Sequence, residues 1–306
     1  MDRYAVAGNP VEHSQSPFIH AEFAQQTGEA LSYGRLLCPL GAFVSTVQGF
    51  AASAASTGAG PARGCNVTVP FKFDAFRLAH RHTERAALAG AANTLRFDAQ
   101  GWLADNTDGC GLVLDIEQGA GVALKGKRLL LIGAGGAAAG VLGPLLGAGT
   151  AQVVVANRTL ATAQALVERH RPLAGPTLAG PALADLRSKD PRLLALPLEQ
   201  RLLALPLERC GEGFDLVINA SASSLRGAAV PVPPNVLAPG ALALDLMYGA
   251  PAQAFLQWAL AHGAVPRDGL GMLVEQAAES FFLWRSVRPD TAPVLASLRQ
   301  RMAVAH

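Results

Sequence analysis

The sequence is short of lysine and of closely spaced cysteines, and each shortage excludes something. Only Lys72, Lys125, Lys127 and Lys189 are lysine among 25 basic residues. A chain that meets its need for positive charge with arginine keeps lysine where a titratable amine matters. Lys125 and Lys127 lie in a polar approach to a strand and Lys189 in a polar loop, which leaves Lys72 in the unusual setting. Cys38, Cys65, Cys110 and Cys210 form no close pair, the usage of reduced thiols in a cytoplasmic protein. A net charge of +2 makes no electrostatic case for nucleic acid or an anionic membrane as partner. His80 and His82, the close histidine pair, stand two apart on an expected helix and so on different faces, which argues against a metal site. Met1-Asp2-Arg3-Tyr4 shows no signal-peptide pattern.

Charge is also missing from Leu129 to Asn157, just after Lys125, Lys127 and Arg128, which imitates a membrane span with a basic flank. Glycines and Pro144 interrupt it, and Val153-Val154-Val155 prefers a strand, so no span is expected. What the stretch contains is a four-residue apolar run, Leu129 to Ile132, then Gly133-Ala134-Gly135-Gly136, then small and aliphatic residues at helical spacing from Ala137 to Leu146. Strand, glycine turn and helix in that order form a dinucleotide-binding unit. Gly133 permits the turn, Gly135 lets backbone approach a pyrophosphate, and Ala138 lets the helix pack on the strand. The helix N-terminus offers free N–H groups and partial positive charge to phosphate.

A second strand, Gln152 to Ala156, ends about where the ribose-reading residue belongs, ~20 residues on. An acidic residue there would hold both ribose hydroxyls; this chain has Asn157-Arg158-Thr159, and a guanidinium suits a 2′-phosphate. The expected cofactor is NADP.

With 306 residues the chain has room for two domains. Tyr4 to Ala7 reads as a strand ending at Gly8-Asn9-Pro10. Ser14, Ser16 and Pro17 precede an amphipathic helix; Ser16 suits an N-cap with Pro17 at the first helical position, whereas Ser14 has no such use, and two hydroxyls beside a helix N-terminus could hold a carboxylate. Asn66-Val67-Thr68-Val69-Pro70-Phe71-Lys72 is a short strand broken by proline, with Lys72 in the first turn of the next helix. A cation there opposes the helix dipole, which favours a neutral amine and suits an acid/base catalyst. Ala91 to Leu95 and Trp102 to Asn106 read as paired strands. Asp108 then either caps the following helix or faces a substrate cleft. Farther on, Arg192-Leu-Leu-Ala-Leu-Pro-Leu-Glu199 recurs as Arg201 to Glu208, read as a duplication forming a surface excursion. Phe214 to Asn219 and Ala241 to Leu246 are further buried-type strands ending in polar residues. The closing part, from Asp268-Gly269-Leu270-Gly271-Met272 into a helix carrying Gln276, could return to the first domain.

Together these motifs resemble the shikimate dehydrogenase family over nearly the whole chain outside the duplicated segment. The marks are Gly8-Asn9-Pro10 with Ser14-Gln15-Ser16-Pro17, Asn66 to Lys72, Gly90-Ala91-Ala92-Asn93-Thr94, Asp105-Asn106-Thr107-Asp108-Gly109, Gly133 to Ala137, Asn157-Arg158-Thr159, and Asp268 to Leu273 with Gln276. The resemblance implies a two-domain α/β fold with the active site in the cleft between the domains. A substrate domain of residues 1–106 plus 270–306 would adjoin a Rossmann-type NADP domain of residues 107–269, with the duplicated insertion near 192–209. It implies reduction of 3-dehydroshikimate to shikimate by a monomer or homodimer. Lys72 would donate the proton and Asp108 orient it. Ser14 and Ser16, with Tyr248, would hold the carboxylate, while Thr68, Asn93, Asp108 and Gln276 bind ring hydroxyls or the keto group. Gly133, Ala134, Gly135, Gly136 and Ala137 would hold the pyrophosphate, Asn157, Arg158 and Thr159 the 2′-phosphate, and Gly269 the nicotinamide end.

The chemistry of the residues agrees. Ketone reduction needs a hydride and a proton for the developing alkoxide, so an amine beside a carboxylate is suitable. No Tyr-x-x-x-Lys segment or metal cluster offers another route. The chain departs from the family pattern at Thr162, where a second basic residue is frequent, at Leu246, where methionine is frequent, and in a longer segment around 180 to 212. Thr162 leaves the phosphate clamp on Arg158 alone. The competing readings are an NAD-using quinate/shikimate dehydrogenase, which would share Lys72 and Asp108, and a non-catalytic NADP- or shikimate-binding regulator, against which the retention of both residues counts.

Overall fold

The computed structural model describes residues 1–53, 60–174, 198–221 and 230–304, which divide into two compact units, 1–112 with 272–306, and 113–271.

The first unit begins with β1 (Asp2–Gly8), α1 (Ser16–Thr27), β2 (Leu31–Leu37), α2 (Phe43–Ala52) and β3 (Ala62–Val67). β1 pairs in parallel with both β2 and β3, and its Tyr4–Gly8 end is buried, as a parallel strand covered on both faces should be. The chain continues through α3 (Lys72–Leu78), β4 (Arg81–His82), α4 (Glu84–Ala89), β5 (Thr94–Arg96) and β6 (Leu103–Asp105). β5 and β6 run antiparallel, completing the sheet order β2-β1-β3-β5-β6-β4. His82 thus lies on a strand rather than the expected helix, and its Nε2 pairs with the Phe76 carbonyl at 2.8 Å. Phe43, Val47, Cys65, Val67, Phe71 and Ala75 form the apolar core of this unit.

α5 (Asp108–Leu114) runs into a wider π-helical turn, Asp115–Gly119. The second unit continues with β7 (Arg128–Ile132), α6 (Gly136–Gly147), β8 (Gln152–Ala156), α7 (Leu160–His170), the short α8 (Leu198–Arg201) and β9 (Leu202–Leu205). β10 (Phe214–Asn219), β11 (Leu237–Asp245), α9 (Gln253–Ala261) and β12 (Val265–Arg267) follow. All its strands are parallel, in the order β12-β11-β10-β7-β8-β9. Two three-stranded halves, β7-β8-β9 and β10-β11-β12, meet where β7 pairs with β10, the arrangement of a dinucleotide-binding domain. Leu130, Ile132, Val154, Val217, Ala243 and Phe255 fill its core.

Two sequence readings change here. The second copy of the duplicated octapeptide is no surface excursion: Leu202–Leu205 is an edge strand, paired residue for residue with Val153–Ala156 of β8. Of the first copy only Leu198 and Glu199 fall within the described residues. The other edge, β12, escapes the sequence reading because three residues containing Pro266 carry no alternation.

α10 (Leu270–Arg285) and α11 (Thr291–Val304) close the chain, and from Met272 onward they belong to the first unit. No described helix is long and apolar enough to cross a membrane.

Candidate active site

Lys72 and Asp108 meet in the first unit. Lys72 opens α3, held in place by its own carbonyl, which accepts from Ala92 N at 2.8 Å. Its Nζ donates to Asp108 Oδ2 in a short ion pair, the two side chains 13% and 6% exposed. The helix dipole is thus not the sole charge acting on the lysine, whose partner carboxylate lies in contact with it. Nor is Asp108 the cap of α5: Asn106 Oδ1 accepts from the Asp108 backbone N at 3.2 Å, which leaves the carboxylate for the lysine.

Asn93 braces the other carboxylate oxygen. Its Nδ2 lies 2.9 Å from Asp108 Oδ1, 2.8 Å from Thr107 Oγ1 and 3.0 Å from Gln276 Oε1, while its Oδ1 accepts from Thr107 N at 2.8 Å. Gln276 reaches this point from α10 because Gly111 has no side chain; a Cβ there would lie 2.6 Å from the Gln276 backbone N.

The network extends through residues to which the sequence reading assigns no role. Asn66 Nδ2 donates to Ser280 Oγ at 3.0 Å and Thr94 Oγ1 at 3.1 Å, and Ser280 Oγ lies 3.1 Å from Thr107 Oγ1. Tyr33 donates its hydroxyl to Asn66 Oδ1 at 2.7 Å. Burial pushes that hydroxyl well above the usual tyrosine range, against the pull of Ser16, so it remains a donor. Two signals were available for these residues. Asn66 is a polar side chain in a short apolar strand, and Ser280 stands one helical turn beyond Gln276 on the same face.

Ser14 and Ser16 come together at the start of α1, their hydroxyls 3.2 Å apart. Ser16 is not the cap: it is the first helical residue, Gln15 holds the capping position without a side-chain bond, and the Ser14 Oγ accepts from Ser16 N at 3.3 Å. Arg35 Nη2 donates to the Ser14 carbonyl at 2.6 Å and steadies the loop. Thr68 follows β3, half-buried, its backbone N bound to the Ala7 carbonyl at 2.9 Å. Tyr248 lies in the second unit, just beyond β11.

In the second unit Gly133 takes φ +106°, a left-handed conformation, and a Cβ on it would lie 3.1 Å from the Ala220 carbonyl. Ala134 is buried behind the turn. Gly135 caps α6 with no side-chain hydrogen bond, and a Cβ there would meet no atom of the described residues within 4 Å. Gly136 and Ala137 form the first turn of a twelve-residue helix whose capping residue, Gly135, has no side chain to claim its leading N–H groups. Asn157 Nδ2 donates to the Thr159 carbonyl at 2.9 Å, shaping the loop after β8, and Arg158 and Thr159 are exposed. Gly269 is buried, its N donating to the Met247 carbonyl at 2.9 Å. An open glycine turn, a free helix N-terminus and an exposed arginine fit a dinucleotide carrying an additional phosphate. Among the described residues no group of histidine, cysteine, aspartate or glutamate could hold a metal ion.

A parallel nucleotide-binding sheet in one unit and a lysine–carboxylate pair in a polar network in the other define the class of the nicotinamide-dependent oxidoreductases. Residues 6–95 match the shikimate dehydrogenase substrate binding domain, 116–177 the shikimate / quinate 5-dehydrogenase family, and 269–299 the shikimate 5′-dehydrogenase C-terminal domain. A relative in Methylibium petroleiphilum named shikimate dehydrogenase (NADP(+)) is 63% identical over 97% of this chain and 94% of its own, and one of the same name in an Acidovorax species is 55% identical over 99% and 97%. The solved structure of shikimate 5-dehydrogenase from Thermus thermophilus in complex with NADP(H) and shikimate superposes with a TM-score of 0.74, at 29% identity over 98% of this chain and 99% of that one. An enzyme structure from Pseudomonas putida gives a TM-score of 0.78 at 41% identity over 97% and 98%. The chain belongs to the shikimate dehydrogenase family.

Proposed function

We propose that the chain reduces 3-dehydroshikimate to shikimate with NADPH, the activity carried by the family name of its relatives. The observation that supports it most is the Lys72–Asp108 pair, buried and braced by Asn93. When bound, the cofactor supplies a hydride to the keto carbon. The oxygen of that carbonyl then gathers negative charge, and the Lys72 ammonium gives it a proton. Asp108 keeps the amine aimed and compensates its charge before transfer; water returns the proton to the lysine afterwards. Ser14 and Ser16 offer two hydroxyls to the substrate carboxylate, with Tyr248 as the partner the resemblance adds. Thr68, Asn93 and Gln276 take the ring hydroxyls. Gln276 donates Nε2 to the Leu273 carbonyl at 2.8 Å and gives Oε1 to Asn93, so its amide is oriented before substrate arrives.

For the cofactor, the glycine turn and the N–H groups of Gly136 and Ala137 would take the pyrophosphate, and Arg158 with Asn157 and Thr159 the 2′-phosphate. Gly269 would meet the nicotinamide. The test is a steady-state assay of 3-dehydroshikimate reduction with NADPH and with NADH. Turnover with NADPH preferred is the expected outcome; a preference for NADH would refute the cofactor assignment, and no turnover with either would refute the activity.

A further inference from the structure

Seven residues beyond Asp108 the helical run carries a second buried carboxylate that the proposed chemistry does not use. Asp115 opens the π-helical turn, and its side chain is 1% exposed. π-turns inside helices recur at functional sites. Arg267 meets Asp115 with both ends of its fork: Nε to Oδ2 at 2.9 Å and Nη2 to Oδ1 at 2.5 Å. Burial works against the guanidinium, yet the Asp115 hydrogen bond outweighs it and holds Arg267 above the usual arginine range. Paired hydrogen bonds fix the plane of both groups as well as their distance.

Two glycines from separate segments make room for this pair. A Cβ on Gly119 would collide with the Arg267 guanidinium and the Asp115 carboxylate, and a Cβ on Gly271 would occupy the position of that carboxylate. Between Arg267 and Gly271 lie only Asp268, Gly269 and Leu270, the turn assigned to the nicotinamide end. The turn is tied at its middle as well. Gly269 N donates to the Met247 carbonyl, Met247 N donates to Asp245 Oδ1 at 2.9 Å, and Asp245 Oδ2 accepts from Asn219 Nδ2 at 2.9 Å. Its entry is held by Arg267, its exit is packed on Asp115, and its centre hangs from the ends of β10 and β11.

We propose that the Asp115–Arg267 pair is a positioning element for hydride transfer, setting the height of the Asp268–Leu270 turn against which the nicotinamide ring rests. This rests on the reading that Gly269 meets the nicotinamide. Neither residue touches the reacting atoms; misplacement of a reactant by an ångström costs about a hundredfold in rate.

The test uses the full chain with Arg267→Met, and with Arg267→Lys, which keeps the charge and loses the fork. Thermal melting identifies folded variants, and if Arg267→Met does not fold, Arg267→Lys decides. Four readouts follow: affinity for adenosine 2′,5′-bisphosphate, which lacks the nicotinamide; affinity for NADPH; kcat; and the isotope effect on kcat with NADPH deuterated at the transferred position. The expected result is unchanged bisphosphate affinity, kcat lower by about ten- to a hundredfold, and a larger isotope effect. Wild-type kcat and isotope effect in a folded variant would overturn the proposal, as would a loss of bisphosphate affinity in step with kcat. Gly269→Ala separates this from the reading beneath it, through the fluorescence of bound NADPH. If that variant leaves emission, NADPH affinity and kcat as in the wild type, the nicotinamide assignment fails and takes the proposal with it. If Gly269→Ala disturbs them while both Arg267 variants do not, the positioning role alone fails.

Discussion

The two units are prepared for their ligands in opposite ways. In the first, nearly every polar side chain of the candidate site is already engaged: Tyr33, Asn66, Thr94, Ser280, Thr107, Asn93, Gln276, Asp108 and Lys72 form one connected hydrogen-bonded chain. In the second, no described residue lies within 4 Å of where a side chain on Gly135 would stand, and Arg158 has no ion-pair partner among the described residues. A small hydroxylated ring must be recognised group by group, and a buried network fixes each donor and acceptor at little entropic cost on binding. A dinucleotide is long and carries its charge on phosphates, so a helix terminus and one cation suffice to register it.

The contrast is broken or sharpened by variants on either side. The largest effect is expected for Lys72→Met: turnover should fall about a hundred- to ten-thousandfold, the usual worth of a positioned proton donor, while substrate affinity stays within a few-fold. Undiminished turnover would show that the network does not carry the chemistry. On the cofactor side, Arg158→Ala should raise KM for NADPH by about ten- to a hundredfold, the worth of one hydrogen-bonded charge pair, and leave KM for NADH unchanged. Equal effects on both would make Arg158 structural and erase the distinction between the units.

A smaller change is expected at the turn itself. Gly133→Ala forces a side chain to φ +106° against the Ala220 carbonyl, at a cost of about 1–3 kcal/mol, so KM for NADPH should rise by several-fold and Tm should drop, with KM for 3-dehydroshikimate unaltered. A change in substrate KM alone would contradict the division of labour.

The smallest effect concerns His20, fully buried and stacked on Tyr33 at 4.2 Å beside the Tyr33–Asn66 hydrogen bond. Burial pushes its pKa down to about 3. The unfolded ring protonates near its ordinary value of about 6.5, so the unfolded state binds more protons below that pH. The stability that this neutral histidine permits is therefore complete above about pH 6.5 and declines as the pH falls toward about 3. His20→Leu should narrow the gap in Tm between about pH 7.5 and about pH 5; an unchanged gap would assign the acid sensitivity elsewhere.

Much of this was legible in the residues. The strand–glycine–helix order at Leu129–Leu146 is local, because a tight turn and a helix N-terminus depend only on neighbours in sequence. Arg158 was legible for the same reason, lying at the end of the next strand. Lys72 and Asp108 could be singled out one by one and paired through the family resemblance, yet the contact itself joins residues 36 apart and depends on α3 and α5 meeting. Asn66, Tyr33 and Ser280 were passed over because a buried polar side chain shows its purpose only through its partners, which come from β2, β3 and α10. Leu202–Leu205 was misread as surface since an apolar tetrapeptide becomes an edge strand only when a neighbour such as β8 is there to pair with.

By itself the sequence determined the dinucleotide unit, the arginine after its second strand and the motifs that mark the family, all of which rest on local backbone geometry and residue chemistry. Tertiary structure alone decided which oxygen of Asp108 faces the lysine, which partners hold the Asn93 and Gln276 amides, and that Asp115 and Arg267, 152 residues apart, close on one another beneath the Gly269 turn. Hydrogen bonds between distant side chains are written in no local pattern; they exist only once packing has brought the elements together and excluded water from around them.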